Sequence, residues 1–225
     1  MIITNIKQVE FTSIRFQVDT VLDLCHARWF RGAIGREMDR PEFHHHTKRG
    51  LLYEHPLIRY NVCGTEAMIV GLGEGAFLLR TVPAFDLLRL GDKTCRVLNQ
   101  SKELARFEVG PCDDPVIYRF QTPYLALNSE NYDTWNRSDA FARRKLLQRI
   151  VIGNLLSFSK SIGLSVAVQL QAEVELSPDA PYELKPGVEL LGFQGLVRIN
   201  FLMPPYWGIG KSSARGFGTL VREVP

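Results

Sequence analysis

From Leu164 to Leu176 an apolar residue occupies every second position: Leu164, Val166, Val168, Leu170, Ala172, Val174 and Leu176. A period of two places them on one face of an extended chain and leaves the other face wet, the signature of an antiparallel strand covered on one side. Phe193, Gly195, Val197, Ile199 and Phe201 repeat the pattern, and Pro204-Pro205 ends it. The chain must therefore build at least one half-buried sheet, and something apolar must lie on it.

Helical stretches supply that cover. Ser138 or Asp139 is placed to cap a helix in which Leu147, Ile150, Val151, Leu155 and Phe158 fall at helical spacing, ending near Gly163. A short strand, 116–120, precedes it, and residues 219–224 read as a last strand. The first half opens with a strand from Ile3 to Phe16. A helix to about Met38 follows, with Leu22, Cys25, Trp29 and Ala33 on its apolar side. Then come a polar loop, 42–50, two strands at 56–62 and 67–71 joined by a turn at Cys63-Gly64-Thr65-Glu66, a helix through 77–90 perturbed by Pro83, and a strand at 94–109. This β-α-β-β-α-β order predicts a ferredoxin-like unit, and the second half again reads β-α-β-β. Gly110-Pro111-Cys112-Asp113-Asp114-Pro115 opposes both helix and central strand, so it reads as a linker. The expected architecture is α+β, with two tandem ferredoxin-like domains at 1–110 and 111–225 and antiparallel sheets.

A chain of 225 residues with 45% hydrophobic and 23% charged residues can bury two such cores, which excludes disordered and fibrous classes. No apolar run reaches membrane-helix length and the first residues lack a secretory apolar stretch, so a cytoplasmic chain without a membrane partner is expected. The four cysteines form no CxxC pair and read as reduced thiols in or near the core. A net charge of +3 does not by itself argue for nucleic acid.

Three groups of residues carry chemistry. In Trp207–Gly218, four glycines let the backbone approach a ligand, while Lys211 and Arg215 add positive charge, which suits a phosphodiester backbone. A nucleotide P-loop is ruled against because Pro205 stands where its first glycine belongs; a plain glycine-rich turn is the competing reading. The second group is Phe43-His44-His45-His46 with Lys48, Arg49 and Tyr53: His44 and His46 share a side of an extended segment, and paired imidazoles can give and take protons near neutral pH. Metal binding and simple loop histidines compete there, and no Asp, Glu or Cys at metal-ligand spacing supports the former. Thirdly, Arg137, Arg143, Arg144, Lys145 and Arg149 give a helical surface positive charge, with Asp139 the single acid between Arg137 and Arg149, as a nucleic-acid surface would.

Taken together these residues resemble the CRISPR repeat-processing endoribonucleases of the RAMP superfamily. Gly208-Ile209-Gly210-Lys211-Ser212-Ser213-Ala214-Arg215-Gly216-Phe217-Gly218 is similar to that group's G-x-G-K-x-x-x-R-G-F-G string, and Pro56–Tyr60, Thr122–Asn128 and Gly192–Gly195 are similar to segments of its archaeal-type branch. That branch carries F-H-x-H with a tyrosine seven residues beyond the second histidine; Phe43, His44, His46 and Tyr53 stand so here, and Arg36 occupies a basic position eight residues before the first histidine. The resemblance implies tandem RAMP/RRM-like domains and metal-independent cleavage of precursor CRISPR RNA, with no cofactor, by attack of the 2′-hydroxyl. Products carry 2′,3′-cyclic phosphate and 5′-hydroxyl ends, and His44, His46, Tyr53 and Arg36 are the catalytic group. It further implies RNA binding by Gly208, Gly210, Lys211, Ser212, Arg215, Gly216 and Gly218, with Arg143, Arg144 and Arg149 as a secondary surface. A homodimer and association with a CRISPR effector complex are expected on the same ground. The alternatives are a RAMP subunit that holds guide RNA without cutting it and a metal-dependent phosphodiesterase built on His44 to His46.

Overall fold

The computed structural model describes residues 5–38, 40, 43, 46–47, 50–51 and 56–223. They form two compact units, one of the described residues between 8 and 107 joined by Ala214–Gly216, the other of residues 108–213 and 217–223 with residues 5–7.

In the N-terminal unit, β1 (Lys7–Leu22) leads through a 3-10 turn, Leu24–His26, into α1 (Ala27–Met38). A two-strand hairpin follows, β2 (His46–Thr47) and β3 (Gly50–Leu51), then β4 (Ile58–Leu72), α2 (Glu74–Arg80), β5 (Leu87–Leu90) and the first part of β6 (Lys93–Phe120). β1 lies between β4 and β6, and β5 pairs antiparallel with β6. The turn expected at Cys63–Glu66 is instead a bulge in one long strand. β1 and β4 pair from Phe11 opposite Leu72 to Gln17 opposite Glu66, then slip so that Leu22 meets Gly64, which takes a φ of 59°. The helix expected over 77–90 ends at Arg80, before Pro83, and its second half is β5.

One face of this sheet carries Ile14, Phe16, Val18, Ile58, Tyr60 and Val62, and α1 lays Ala27, Phe30 and Ile34 on it. The Phe30 ring meets Phe16 and Tyr60 edge to face at 5.5 and 5.7 Å. Asp23 starts the helical segment by accepting a hydrogen bond from the Cys25 N–H at 3.0 Å and lying 2.8 Å from His26 Nδ1, which gives buried His26 a structural role. Asp23, Cys25 and His26 are the one group of metal-ligand types brought together among the described residues, and the cap accounts for their arrangement. Cys95 is buried, but Cys25 and Cys63 are exposed, contrary to the expectation of core or near-core thiols.

In the C-terminal unit, the end of β6 is flanked by β9 (Leu220–Arg222) and β8 (Val188–Leu202), and β8 pairs with β7 (Ala172–Lys185), all antiparallel. Gly110–Pro115, expected as a linker, is part of β6; Pro111 pairs with Phe201, and a register shift before Val116 absorbs the irregular residues. α3 (Ser129–Arg137) and α4 (Ala140–Ser161) complete the unit, and Asp139 caps α4 by accepting from the Ala142 N–H at 2.8 Å. Leu147, Val151, Leu155 and Phe158 of α4 are buried, as are Val197, Ile199 and Phe201 of β8, and the Phe158 ring lies 5.9 Å from that of Trp207. The strand expected from Leu164 begins only at Ala172. Burial still alternates from Leu164 onward, but at Gln169 and Gln171 the Asn200 side chain stands in for the ladder: its Oδ1 accepts from the Gln171 N–H at 2.7 Å and its Nδ2 donates to the Gln169 carbonyl at 3.2 Å. No helix among the described residues is long and apolar enough to cross a membrane.

Candidate RNA-processing site

Phe43, the residue before His44, is fixed in the core. Phe43 is 1% exposed and belongs to the N-terminal core, and its carbonyl accepts a 3.1 Å hydrogen bond from the Tyr60 hydroxyl. The phenylalanine thus supplies burial and the strand tyrosine supplies the polar tie. Burial pushes the Tyr60 hydroxyl well above the ordinary tyrosine range, so Tyr60 acts as a neutral donor. His46 lies in β2, its backbone paired antiparallel with Leu51 of β3. His44 and Tyr53 lie outside the described residues. Arg36 is exposed in the last turn of α1, where a cation suits the helix dipole.

The glycine-rich segment folds back on itself. Gly208 pairs with Thr219, the Ile209 N–H donates to the Gly218 carbonyl at 3.1 Å, and the Lys211 N–H donates to the Leu125 carbonyl at 3.0 Å. Gly210 lies against the Tyr124 ring. At Gly218, with φ 64°, a Cβ would stand 2.0 Å from the Ile209 carbonyl oxygen, so only glycine fits. Lys211 is exposed, and Ser212 takes a φ of 57°. Part of the glycine content therefore serves the loop's own closure.

The tip, Ala214–Gly216, belongs to the N-terminal unit. A Cβ on Gly216 would lie 2.9 Å from the Tyr60 carbonyl oxygen and 3.2 Å from Leu24, so this glycine lets the tip sit directly on β4 and the start of α1. Arg215 is half-buried there. Burial, then the neighbouring guanidiniums of Arg31 and Arg28, lower its pKa, and burial lowers that of Arg31 with Tyr60 opposing. Arg28 and Arg31 come within electrostatic range of Arg215 only through the tertiary fold.

On α4, Arg143 and Arg144 line a groove of about 520 Å³ with Trp135, Leu147, Glu175 and Ser177. The Arg143 guanidinium lies 4.9 Å over the Trp135 ring while its Nε donates to the Trp135 carbonyl, and Arg144 Nε donates to the Val174 carbonyl at 3.1 Å. Holding each arginine through Nε fixes where its terminal nitrogens stand. Arg149 is exposed outside this groove.

Comparison with known proteins supplies the family. Residues 7–108 match the Cas6b N-terminal domain and residues 111–223 the Cas6b C-terminal domain. The chain belongs to the Cas6b family. It is similar to a crystal structure of Cas6b, with a TM-score of 0.90 and 28% identity over 96% of this chain and 100% of that one. It is also similar to the crystal structure of a CRISPR RNA processing endoribonuclease Cas6b, with a TM-score of 0.77 and 26% identity over the same shares. An uncharacterized protein of Methanocaldococcus jannaschii is 33% identical over 135 residues, 60% of this chain and 91% of that protein. A CRISPR-associated protein Cas6 at 12% identity, with a TM-score of 0.58, shares the fold over 97% of this chain. Within this Cas6b fold the loop tip and the root of the histidine segment converge on one residue, Tyr60, which meets Gly216 through its carbonyl and Phe43 through its hydroxyl.

Proposed function

We propose that this Cas6b-family protein cuts precursor CRISPR RNA within its repeat, without a metal ion. His44 and His46 exchange the protons: one removes the proton of the 2′-hydroxyl, the 2′ oxygen bonds to the adjacent phosphorus, and the bond to the 5′ oxygen breaks as the other histidine protonates it. The products are a 2′,3′-cyclic phosphate and a 5′-hydroxyl. Tyr53 orients the reacting groups, and Arg36, a poor proton carrier, contributes charge. Lys211, Ser212 and the loop around Gly208 to Gly218 hold the RNA backbone, with Arg143, Arg144 and Arg149 as a secondary surface. Homodimerisation and association with a CRISPR effector complex belong to the same reading.

The observation that carries the proposal is the anchoring of the histidine segment: a buried Phe43 tied by Tyr60 immediately before His44, in a chain of the Cas6b family. Anchoring of this kind restrains the backbone from which a proton carrier projects. The test is cleavage of the host's own repeat RNA in EDTA by wild type and by a His44→Ala/His46→Ala double variant, with binding measured in parallel. Cutting by wild type alone, while both bind, supports the proposal. Binding without cutting by either favours a subunit that holds guide RNA, and loss of wild-type cutting in EDTA favours a metal-dependent enzyme.

A further inference from the structure

Arg143 and Arg144 are held in a way that leaves their terminal nitrogens available. Each donates through Nε to a backbone carbonyl, Arg143 to Trp135 at 2.9 Å and Arg144 to Val174 at 3.1 Å. The Trp135 ring that Arg143 covers is itself fixed, edge to face against Phe193 at 5.0 Å, so this guanidinium rests on packed core. Side chains restrained in advance lose little freedom when a ligand arrives. β7 contributes Glu175 and Ser177 to the same groove, and Gly195 lets β8 pack closely on this part of β7, since a Cβ there would stand 2.1 Å from the Glu175 carbonyl oxygen. Yet among the described residues the Glu175 carboxylate forms no ion pair with either guanidinium. Two fixed cations and a separate acid in one groove complement a ligand that carries both an anion and an edge of hydrogen-bond donors.

The lining decides which ligand. Paired guanidiniums suit a phosphate group. Trp135, Leu147, Leu176 and Pro178 add apolar surface for a planar base, and a volume of about 520 Å³ lies within the range of small-molecule sites, roughly 300–1,000 Å³. Glu175 then selects the base. An ionised carboxylate only accepts hydrogen bonds, and guanine alone of the four bases presents two adjacent donors, N1–H and the N2 amino group, with no acceptor between them. A base pair occupies both donors, so the guanine must be unpaired, the state in which RNA is read by its Watson–Crick edge. We propose that the groove between the start of α4 and β7 holds one unpaired guanosine nucleotide of the repeat RNA, its phosphate on Arg143 and Arg144 and its Watson–Crick edge on the Glu175 carboxylate. This rests on the RNA-processing reading above and turns a general cationic surface into a site that reads one base. Its specificity comes from an acid on β7, while the arginines of α4 supply affinity.

The test is binding of dye-labelled single-stranded RNA pentamers to the full chain, followed by fluorescence anisotropy. The probes are UUGUU, UUAUU, UUCUU and UUUUU, with UUIUU as a fifth, in which inosine lacks the N2 amino group. Wild type is expected to bind UUGUU about tenfold tighter than the A, C and U pentamers, with the inosine pentamer between. Glu175→Ala, a change at an exposed strand position, brings UUGUU to the level of UUAUU. Arg144→Ala instead weakens every pentamer alike and makes binding less dependent on salt, and Arg144→Lys, which keeps the charge, recovers part of the affinity. If wild type binds and cuts the host's repeat RNA yet does not prefer UUGUU, the guanine pocket is wrong and the cleavage reading stands. A guanine preference that survives Glu175→Ala overturns the pocket as well, because the base is then read elsewhere. If wild type binds no repeat RNA, the RNA-processing reading fails first, and the pocket with it.

Discussion

Tyr60 shows how much one side chain can organise. Its ring packs edge to face on Phe30, its hydroxyl donates to the Phe43 carbonyl, and its own carbonyl is closely approached by Gly216. Tyr60→Phe keeps the packing and removes the tie to Phe43; thermal unfolding should show a loss of about 1 kcal/mol, the ordinary worth of such a bond. Cleavage should fall by more than that loss implies, because the histidine segment loses its anchor. Gly218 offers a sharper stability test: Gly218→Ala combines a positive φ with a Cβ 2.0 Å from a carbonyl oxygen and should cost at least about 2 kcal/mol. Neither residue's role follows from composition, since glycine-rich segments suit ligand contact and tight self-packing equally well.

Among the elements, α4 was more legible than the strand limits. The cap at Asp139 and the apolar spacing from Leu147 to Phe158 located α4 because both signals are local. Asp139→Ala should lower stability by about 1 kcal/mol in a denaturant titration. Strand boundaries depend on partners far along the chain. Alternation from Leu164 correctly marks which side chains are buried, but hydrogen bonds from Asn200 replace strand pairing before Ala172, and Gly64 reads as a turn when β1 makes it a bulge. The short hairpin at the histidines and α3 were likewise missed; a two-residue strand carries no period, and Asn128 caps α3 over a polar sequence. The start of α1 carries a pH signature. Hydrogen bonding from the Cys25 thiol, opposed by burial and supplemented by His26, holds the Asp23 carboxyl below its usual 3.8. A depressed folded-state value means that this stabilisation is present above that pH and is lost as pH falls through the folded value. The stability difference between wild type and Asp23→Asn should therefore shrink on acidification.

For the whole molecule, the antiparallel α+β architecture and the family were legible in the sequence because periodicity, turn residues and the Gly208–Gly218 string agree along the chain. That Arg28 and Arg31 come within electrostatic range of Arg215 was not, since the two stretches are far apart in sequence and only the docking of the loop tip brings them near. The central claim is chemical: the RNA supplies its own nucleophile and the protein moves two protons. The most direct measurement is cleavage, in EDTA, of two repeat RNAs that differ only in a single 2′-deoxy nucleotide at the cut site, with analysis of the product ends. The account predicts that the all-ribose RNA is cut to a 2′,3′-cyclic phosphate and a 5′-hydroxyl, and that the substituted RNA binds as well but stays intact. Cutting of the substituted RNA at the same position, or a 5′-phosphate on the product, would contradict it.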